Sequence, residues 1–263
     1  MGVKTALTLD EANTLFDEYH FTNLQATSSG IVDTTYIATI HDKEYILKKY
    51  ERDIEEKIQQ DAKLLHTLKS NGLNVPTLLV SQNEWFLYEK LLGGIPKNIT
   101  IRHIHSLARF MSQMHTLTSK LNTTTYFTEV AETEKLLKDI KSKFYFQYKK
   151  LQFLQKYKPK KDGFIHGDIF KDNTVFHNFK IGVFDFIDAG YGEFVFDIAV
   201  ALVAFDAKKH PMFIELFLNT YNQKTLKKIK KKELLKSMKI ASAYYALQRI
   251  ETYNNTKQAK ELF

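Results

Sequence analysis

The sequence predicts an α+β protein with two lobes, a small N-terminal lobe built on an antiparallel sheet and a larger, mainly helical C-terminal lobe. Near the start, apolar and polar residues alternate with period two, which is typical of strands that bury one face. From Ile101 onward, apolar residues recur at helical spacing. The pair Gly93-Gly94 lies between the strand pattern and the helix pattern and interrupts regular secondary structure. We therefore expect the lobes at 1–89 and 95–263, joined by a hinge at 90–94.

The individual elements follow from the same periods. A first helix is expected near the start because Thr8 and Glu11 have the spacing of a capping box. The other elements of the small lobe are strands at 24–31, 35–41, 44–50, 77–81 and 84–89 and a helix at 53–70. The large lobe should hold a long helix from Ile101, with His115 on its core face, and helices at 133–156, 195–205, 210–222 and 232–252.

Composition narrows the class of protein. The chain has 263 residues, 44% of them hydrophobic, with no apolar stretch near the length of a membrane span and no apparent secretory signal. The absence of cysteine excludes disulfides and thiolate metal sites and is compatible with the cytoplasm. The net charge is +8, and the lysines are densest around 224–232. We interpret this lysine-rich segment as a solvated helix face. We therefore expect neither a nucleic-acid nor a membrane partner, and the oligomeric state is left open.

The stretch from Phe164 to Val200 carries the chemistry. Asp168 follows a short apolar run, Asn173 lies five residues later, and Asp185 ends the second of two predicted strands around Asn178. Phosphoryl transfer requires a carboxylate that orients the attacking hydroxyl and oxygen ligands that hold Mg²⁺ on the phosphates. Asp168 fits the first role, and Asn173 and Asp185 fit the second.

The motif H-x-D-x-x-x-x-N, followed by a strand-ending D-F, resembles the protein-kinase-like fold. H-G-D, D-F-x-x-A-G and D-I-A more narrowly resemble the aminoglycoside phosphotransferase and choline kinase superfamily. This resemblance implies Asp168 as catalytic base, Asn173 and Asp185 as Mg²⁺ ligands, Asp197 as anchor of the catalytic loop, and ATP as phosphoryl donor. It also implies a nucleotide-binding N-terminal lobe and a C-terminal lobe for catalysis and substrate.

Two further residues of this stretch have more than one interpretation. Asp197 could also be a simple negative charge at a helix N-terminus. His166 lies two residues before Asp168, but we interpret it as a loop residue held by a backbone hydrogen bond rather than as a second base.

In the small lobe, Lys48 is the candidate for the α- and β-phosphates. It shares a strand face with Ile46, which would cover adenine, whereas Lys49 points to the opposite face. Ser28, Ser29 and Gly30 lie at the end of the first of two predicted strands that are joined by a turn, which is where a phosphate-covering loop belongs. Backbone groups of Tyr88, Glu89 and Lys90 are expected to bind adenine.

An acid from the next helix should orient the lysine, as in active kinases. Asp61 lies roughly where the resembled family often has Glu, but its shorter side chain reaches less far. Glu55 and Glu56 therefore stay open as alternatives.

The acceptor is expected to be a small molecule with a hydroxyl group. The segments IHGDIFKDNTVF and YILKKYE resemble homoserine kinases of the phosphotransferase type, so homoserine is the leading acceptor. Choline, ethanolamine or an aminoglycoside are alternatives, as is a catalytically silent kinase-fold protein that binds a nucleotide or a partner. The residues expected to line the acceptor site are Asp188, Glu193, Tyr245 and Arg249.

Overall fold

A computed structural model describes residues 3–27, 33–52, 54–121 and 129–254, apart from the side chains of residues 55 and 129–132. The chain divides into two compact units, residues 1–92 and 93–263. The first is dominated by an antiparallel sheet and the second by helices, and the predicted α+β class is confirmed.

The first unit is a five-stranded antiparallel sheet with the order β1-β2-β3-β5-β4. Its helix α1 begins at the predicted capping box, in which Thr8 and Glu11 bond to each other's backbone N–H groups. The elements of this unit are α1 (Leu9–Leu15), β1 (Phe21–Ala26), β2 (Thr34–Ile40), β3 (Lys43–Lys49), α2 (Glu55–Ser70), β4 (Leu78–Gln82) and β5 (Trp85–Glu89).

Strand β1 begins earlier than its sequence pattern indicates. The ring of Phe21 packs edge-on against Phe16, with 5.9 Å between centroids, and the Phe21 N–H donates to the side chain of Asn13. These contacts with α1 extend the strand back to Phe21, which the alternation at 24–31 could not indicate.

One face of the first unit's sheet covers an apolar cluster. Tyr36 and Ala38 on β2, Leu47 on β3 and Leu87 on β5 are buried in one apolar cluster. Side chains alternate along a strand, so Lys48 of β3 lies on the face opposite Leu47.

The second unit is mainly helical, with two short two-stranded sheets, β6-β9 and β7-β8. Its helices are α3 (Ile101–Thr118), α4 (Glu129–Lys143), α5 (Tyr145–Leu151), α6 (Phe194–Ala204), α7 (Pro211–Lys224) and α8 (Lys231–Tyr253). Its strands are β6 (Gly163–Ile165), β7 (Thr174–His177), β8 (Lys180–Val183) and β9 (Gly190–Gly192). Helix α6 is buried from Phe194 to Leu202, and α8 packs against it.

Two features of this unit differ from the sequence prediction. The single helix expected at 133–156 is broken at Phe144, which has φ −133° and ψ 55°, so that Ile140 in α4 and Leu151 in α5 are both buried. Strand β9, three residues with glycine at each end, was not predicted; it pairs with β6 and precedes α6.

No helix in the described parts of the chain combines the length and apolar character needed to span a bilayer.

Candidate active site

The loop between β6 and β7 brings Asp168 and Asn173 together. Gly167 has φ +77°, a left-handed conformation that favours glycine between His166 and Asp168. The N–H of Phe170 donates to the carbonyl of Asp168 at 2.8 Å, and the N–H of Asn173 donates to the carbonyl of Phe170 at 3.1 Å. These short-range bonds fold the five-residue spacing of the motif into one compact turn.

The Asp168 carboxylate is held by the Asn173 side chain. The Asn173 amide nitrogen donates to the Asp168 carboxylate at 2.8 Å and to its carbonyl at 2.9 Å. Burial, followed by the charges of Asp185, Asp172 and Asp188, raises the pKa of Asp168 to about 7, while the bond from Asn173 opposes that rise. A carboxylate with a pKa near neutrality is well suited to accept a proton from a hydroxyl.

Asp185 is tied to the same loop through the residue before it. The Phe184 N–H donates to the carbonyl of Asn173 at 3.1 Å, and the Phe184 carbonyl accepts from Nε2 of His166 at 3.0 Å. Asp185 itself has φ +64°, which is uncommon outside glycine, asparagine and aspartate. Its orientation is therefore set by an unusual backbone conformation next to two cross-loop bonds.

Asn173 and Asp185 fit the donor chemistry of Mg²⁺. Because the Asn173 amide nitrogen is bonded to Asp168, its amide oxygen points away from that carboxylate. Asp185 adds a carboxylate, and Mg²⁺ at phosphate sites uses one or two such protein oxygens. In the described residues, no group of three or more His, Asp or Glu side chains is arranged to hold a metal ion.

Asp197, near the start of α6, holds the loop backbone. It is fully buried, and its two carboxylate oxygens accept from the Gly167 N–H at 2.7 Å and from the His166 N–H at 3.3 Å. His115 of α3 is also fully buried, as expected of a core residue, and its Nε2 lies 2.8 Å from Asp197.

His166 is buried and bonded on both ring nitrogens. Its Nδ1 accepts from the Asp168 N–H at 3.1 Å, and its Nε2 donates to the Phe184 carbonyl. Burial lowers the pKa of His166, although the nearby Asp197 charge acts in the opposite direction. A neutral ring with both nitrogens bonded to the backbone has a holding role, as the sequence interpretation expected, and no base role.

The four residues predicted to line the acceptor site have different environments. The Tyr245 hydroxyl donates to the Gly167 carbonyl, and its ring packs edge-on against Phe170 at 4.8 Å. Glu193 is buried and accepts from the Tyr157 hydroxyl at 2.7 Å. Asp188 is exposed and close enough to Asp168 to affect its pKa, and Arg249 follows Tyr245 by one turn of α8. Tyr245 and Glu193 are thus engaged within the protein.

In the first unit, the ammonium group of Lys48 lies 3.7 Å from the carboxylate of Asp33 and 4.6 Å from the centre of the Tyr50 ring. Asp33 also contacts the Arg52 guanidinium at 3.4 Å and accepts from the Glu51 N–H at 3.2 Å. Asp33 was not among the acids predicted to orient Lys48. Its sequence position between a polar loop and a strand gave no sign of such a contact.

The acids of α2 and the expected adenine contacts are placed as follows. Asp61 is buried and lies 3.8 Å from Lys57, and Glu56 is exposed. The Glu89 N–H donates to the Thr77 carbonyl at 2.9 Å. Adenine binding by backbone groups of Tyr88, Glu89 and Lys90 stays a prediction. The predicted loop Ser28, Ser29 and Gly30, and the side chain of Glu55, lie outside the described residues.

Tyr88 and Lys90 have side-chain partners within the first unit. The Tyr88 hydroxyl lies 3.1 Å from that of Tyr50, and Lys90 pairs with Glu44 at 2.8 Å. Ile46 is half-buried on the same face of β3 as Lys48.

A cavity of about 560 Å³ in the first unit lies beside Lys49 and Arg52, between the start of α2 and the turn that joins β4 to β5. Lys49 is paired with Glu84 at 2.9 Å. The cavity is not lined by Lys48, so it is separate from the predicted phosphate contact.

The loop between β6 and β7, with the carboxylate of Asp168 and the amide of Asn173, and the carboxylate of Asp185 after β8 together have the composition of a phosphoryl-transfer site. The model of the phosphotransferase enzyme family matches residues 23–230, which is most of the chain. The protein belongs to this family and is a small-molecule phosphotransferase, so the resemblance read from the motifs is confirmed.

Individual relatives show the range of the similarity. The chain is 24% identical over 229 residues to a homoserine kinase from Polaromonas naphthalenivorans, covering 77% of this chain and 72% of that protein. Among solved structures, it is similar to amicoumacin kinase hAmiN in complex with AMP-PNP, Ca²⁺ and Ami, with a TM-score of 0.71, 19% identity and coverage of 96% and 88%. It is also similar to choline kinase LicA from Streptococcus pneumoniae, with a TM-score of 0.68, 16% identity and coverage of 95% and 96%.

Proposed function

We propose that the protein is an ATP- and Mg²⁺-dependent kinase that transfers the γ-phosphoryl group to the hydroxyl of a small molecule, and that this molecule is homoserine. One observation carries the proposal. In a member of the phosphotransferase family, a half-buried Asp168 is bonded to Asn173, which is linked through Phe184 to Asp185.

Asp168 acts as the base in this proposal. Its carboxylate orients the acceptor hydroxyl and takes its proton as the oxygen attacks the γ-phosphorus. The bond between the γ-phosphorus and the bridging oxygen breaks, and ADP leaves. The bond from Asn173 fixes the carboxylate in place, so little reorganisation is needed during transfer.

The predicted nucleotide contacts come from Lys48 and Ile46 and from Asn173 and Asp185. Mg²⁺, when bound, neutralises charge on the phosphates. Asn173 and Asp185 supply oxygens to it, Lys48 pairs with the phosphates, and Ile46 covers adenine. The Asp33 carboxylate lies 3.7 Å from the Lys48 ammonium and keeps it close to strand β3. Since the reaction consumes ATP, we propose a cytoplasmic location, with which the cysteine-free sequence is compatible.

Homoserine as acceptor is supported by the homoserine kinase relative, and the charges of Asp188 and Arg249 are of the two signs that its charged groups require. Homoserine carries an ammonium, a carboxylate and a hydroxyl. Asp188, whose charge affects Asp168, can attract the ammonium, and Arg249 can pair with the carboxylate. Choline, ethanolamine and aminoglycosides lack a carboxylate and would not use Arg249 in this way.

The test is Mg²⁺-ATP consumption by the purified protein with L-homoserine, choline, ethanolamine and several aminoglycosides. Asp168→Asn serves as the blank. We expect turnover on homoserine that disappears in this variant, together with a KM for homoserine that rises in Arg249→Gln while the KM for ATP is unchanged. Turnover on another acceptor would overturn homoserine alone. Nucleotide binding with no turnover on any acceptor would favour a catalytically silent kinase-fold protein.

A further inference from the structure

A chain of hydrogen bonds leads from α7 to the catalytic loop through the protein interior. The Tyr221 hydroxyl on α7 lies 2.8 Å from Nδ1 of His115 on α3, and Nε2 of His115 lies 2.8 Å from Asp197 on α6. Asp197 in turn accepts from the N–H groups of His166 and Gly167. Residues that are 106 and 82 positions apart in sequence are thus joined in one network that ends at the backbone next to Asp168.

The direction of these bonds follows from the groups involved. Burial raises the pKa of the Tyr221 hydroxyl well above its usual range, so this group keeps its proton and donates to Nδ1 of His115. Nε2 of His115 then carries the hydrogen and donates to Asp197. In this arrangement every polar atom of the Tyr221 and His115 side chains serves to fix Asp197.

The orientation of the His115 ring is fixed by packing as well as by hydrogen bonds. The ring stacks on Phe194, with 4.2 Å between centroids and 7° between planes. Phe194 begins the same helix that carries Asp197, so the ring and its acceptor are held by a single rigid element. Tyr221, His115 and Asp197 are all fully buried, where an unsatisfied polar group is costly.

We propose that His115 and Tyr221 are positioning residues of phosphoryl transfer, which fix the carboxylate of Asp197 so that it holds the His166 and Gly167 backbone and thereby places Asp168. Neither residue touches the reactants; both act through Asp197. The expected change in kcat rests on the proposed function, whereas the expected change in how firmly the loop is held rests on the hydrogen bonds alone.

Tyr221→Phe is the first test because it removes one oxygen and preserves the ring. The matched control is Tyr36→Phe in the first unit, where a buried hydroxyl accepts from the Leu7 N–H at 3.0 Å, far from the loop in sequence. We expect kcat of Tyr221→Phe to fall by about tenfold, with both KM values within about twofold of wild type, because misplacement of the base affects the transition state.

His115 provides a second pair of variants. His115→Phe keeps a ring that can stack on Phe194 but removes the side-chain donor to Asp197. His115→Gln supplies an amide donor in its place. We expect a larger loss of kcat in His115→Phe, about tenfold to a hundredfold, and partial rescue in His115→Gln. A role in packing alone predicts the reverse order, since phenylalanine preserves the stack.

Hydrogen exchange of the His166 and Gly167 amides gives a readout that does not depend on any acceptor. We expect the protection of these two amides against exchange to fall about tenfold in Tyr221→Phe and His115→Phe. Their protection should be unchanged in Tyr36→Phe. Unchanged loop exchange, or equal loss in Tyr36→Phe, would overturn the proposal. If the wild-type protein has no kinase activity but exchange still increases in Tyr221→Phe and His115→Phe, the proposed function is refuted and the holding of the loop stands.

Discussion

The loop that carries Asp168 and the strand face that carries Lys48 are held in different ways. Around Asp168, the bonds that fix the backbone and carboxylate through Asn173 and Asp197 are 2.7–3.3 Å long, and Asp197 is fully buried. Around Lys48, the ion pair with Asp33 spans 3.7 Å, and the neighbouring Arg52 is about one-third exposed.

This difference matches what each region has to do during a reaction. A base that must take a proton in the transition state gains from being fixed beforehand. In the proposed reaction Lys48 must receive phosphate oxygens, and a counterion at 3.7 Å is exchanged for them more easily than one held by a short hydrogen bond, because Coulomb attraction falls with distance. The following predictions test this contrast.

The largest effect is expected for Asp168→Asn. Loss of the base should lower kcat by about 100-fold to 10,000-fold, with nucleotide affinity largely preserved. Steady-state kinetics and calorimetric titration with Mg²⁺-nucleotide would measure the two quantities. Asp172→Asn is the control, because it removes an exposed carboxylate from the same loop. Similar losses in both variants would show that the loop needs negative charge rather than a base at residue 168.

The next effect is expected for Asp185→Asn. Asparagine tolerates the left-handed conformation at this position, so the substitution removes charge without forcing the backbone to move. We expect the Mg²⁺-dependent part of nucleotide binding to be lost, because a neutral amide is a weaker ligand than a carboxylate. Nucleotide titrations with and without Mg²⁺ would show this. Unchanged affinity in the presence of Mg²⁺ would remove Asp185 from the metal site.

A smaller effect separates the two adjacent lysines. Lys48→Met should weaken nucleotide binding by about tenfold or more, the amount expected for loss of a charged hydrogen bond. Lys49→Met should change it little, since Lys49 lies on the other face and pairs with Glu84. Equal losses in the two variants would show that only general positive charge matters on this strand.

The smallest effect concerns stability and a buried carboxylate outside the loop network. Burial raises the pKa of Glu193, so the native state favours its neutral form, and this contribution to stability is lost as pH rises through the native pKa. Glu193→Gln should therefore become more stable relative to wild type as pH rises above the ordinary range of glutamate. Urea unfolding at several pH values would measure this, with the exposed Glu215→Gln as control. A relative stability that does not change with pH would contradict the prediction.

The parts of the site that lie close in sequence could be predicted, and the parts that depend on distant helices could not. Asp168 and Asn173 are five residues apart, so their spacing alone indicates a shared turn. Tyr221 lies on an apolar helix where a tyrosine is indistinguishable from ordinary core packing. Its partner is 106 residues away in sequence, and periodicity gives no information about which buried groups meet.

The small lobe shows the same limit. The strand pattern predicted that Ile46 and Lys48 share a face, as they do on β3. The contact between Lys48 and Asp33 depends on how β2 and β3 pair and on where the chain enters β2. Registers of this kind are set by tertiary packing, which is why Asp33 was missed while the acids of α2 were considered.

The short segment 164–167 also has a consequence for how the protein is made. Its backbone is bonded by Thr118 at the end of α3, by Asp197 in α6 and by Tyr245 in α8. During synthesis the chain emerges from its N-terminus, so the last of these partners appears only when α8 has left the ribosome. A nascent chain that ends before α8 therefore lacks one of the three groups that hold this segment, so the loop is fully held only after α8 has been synthesised.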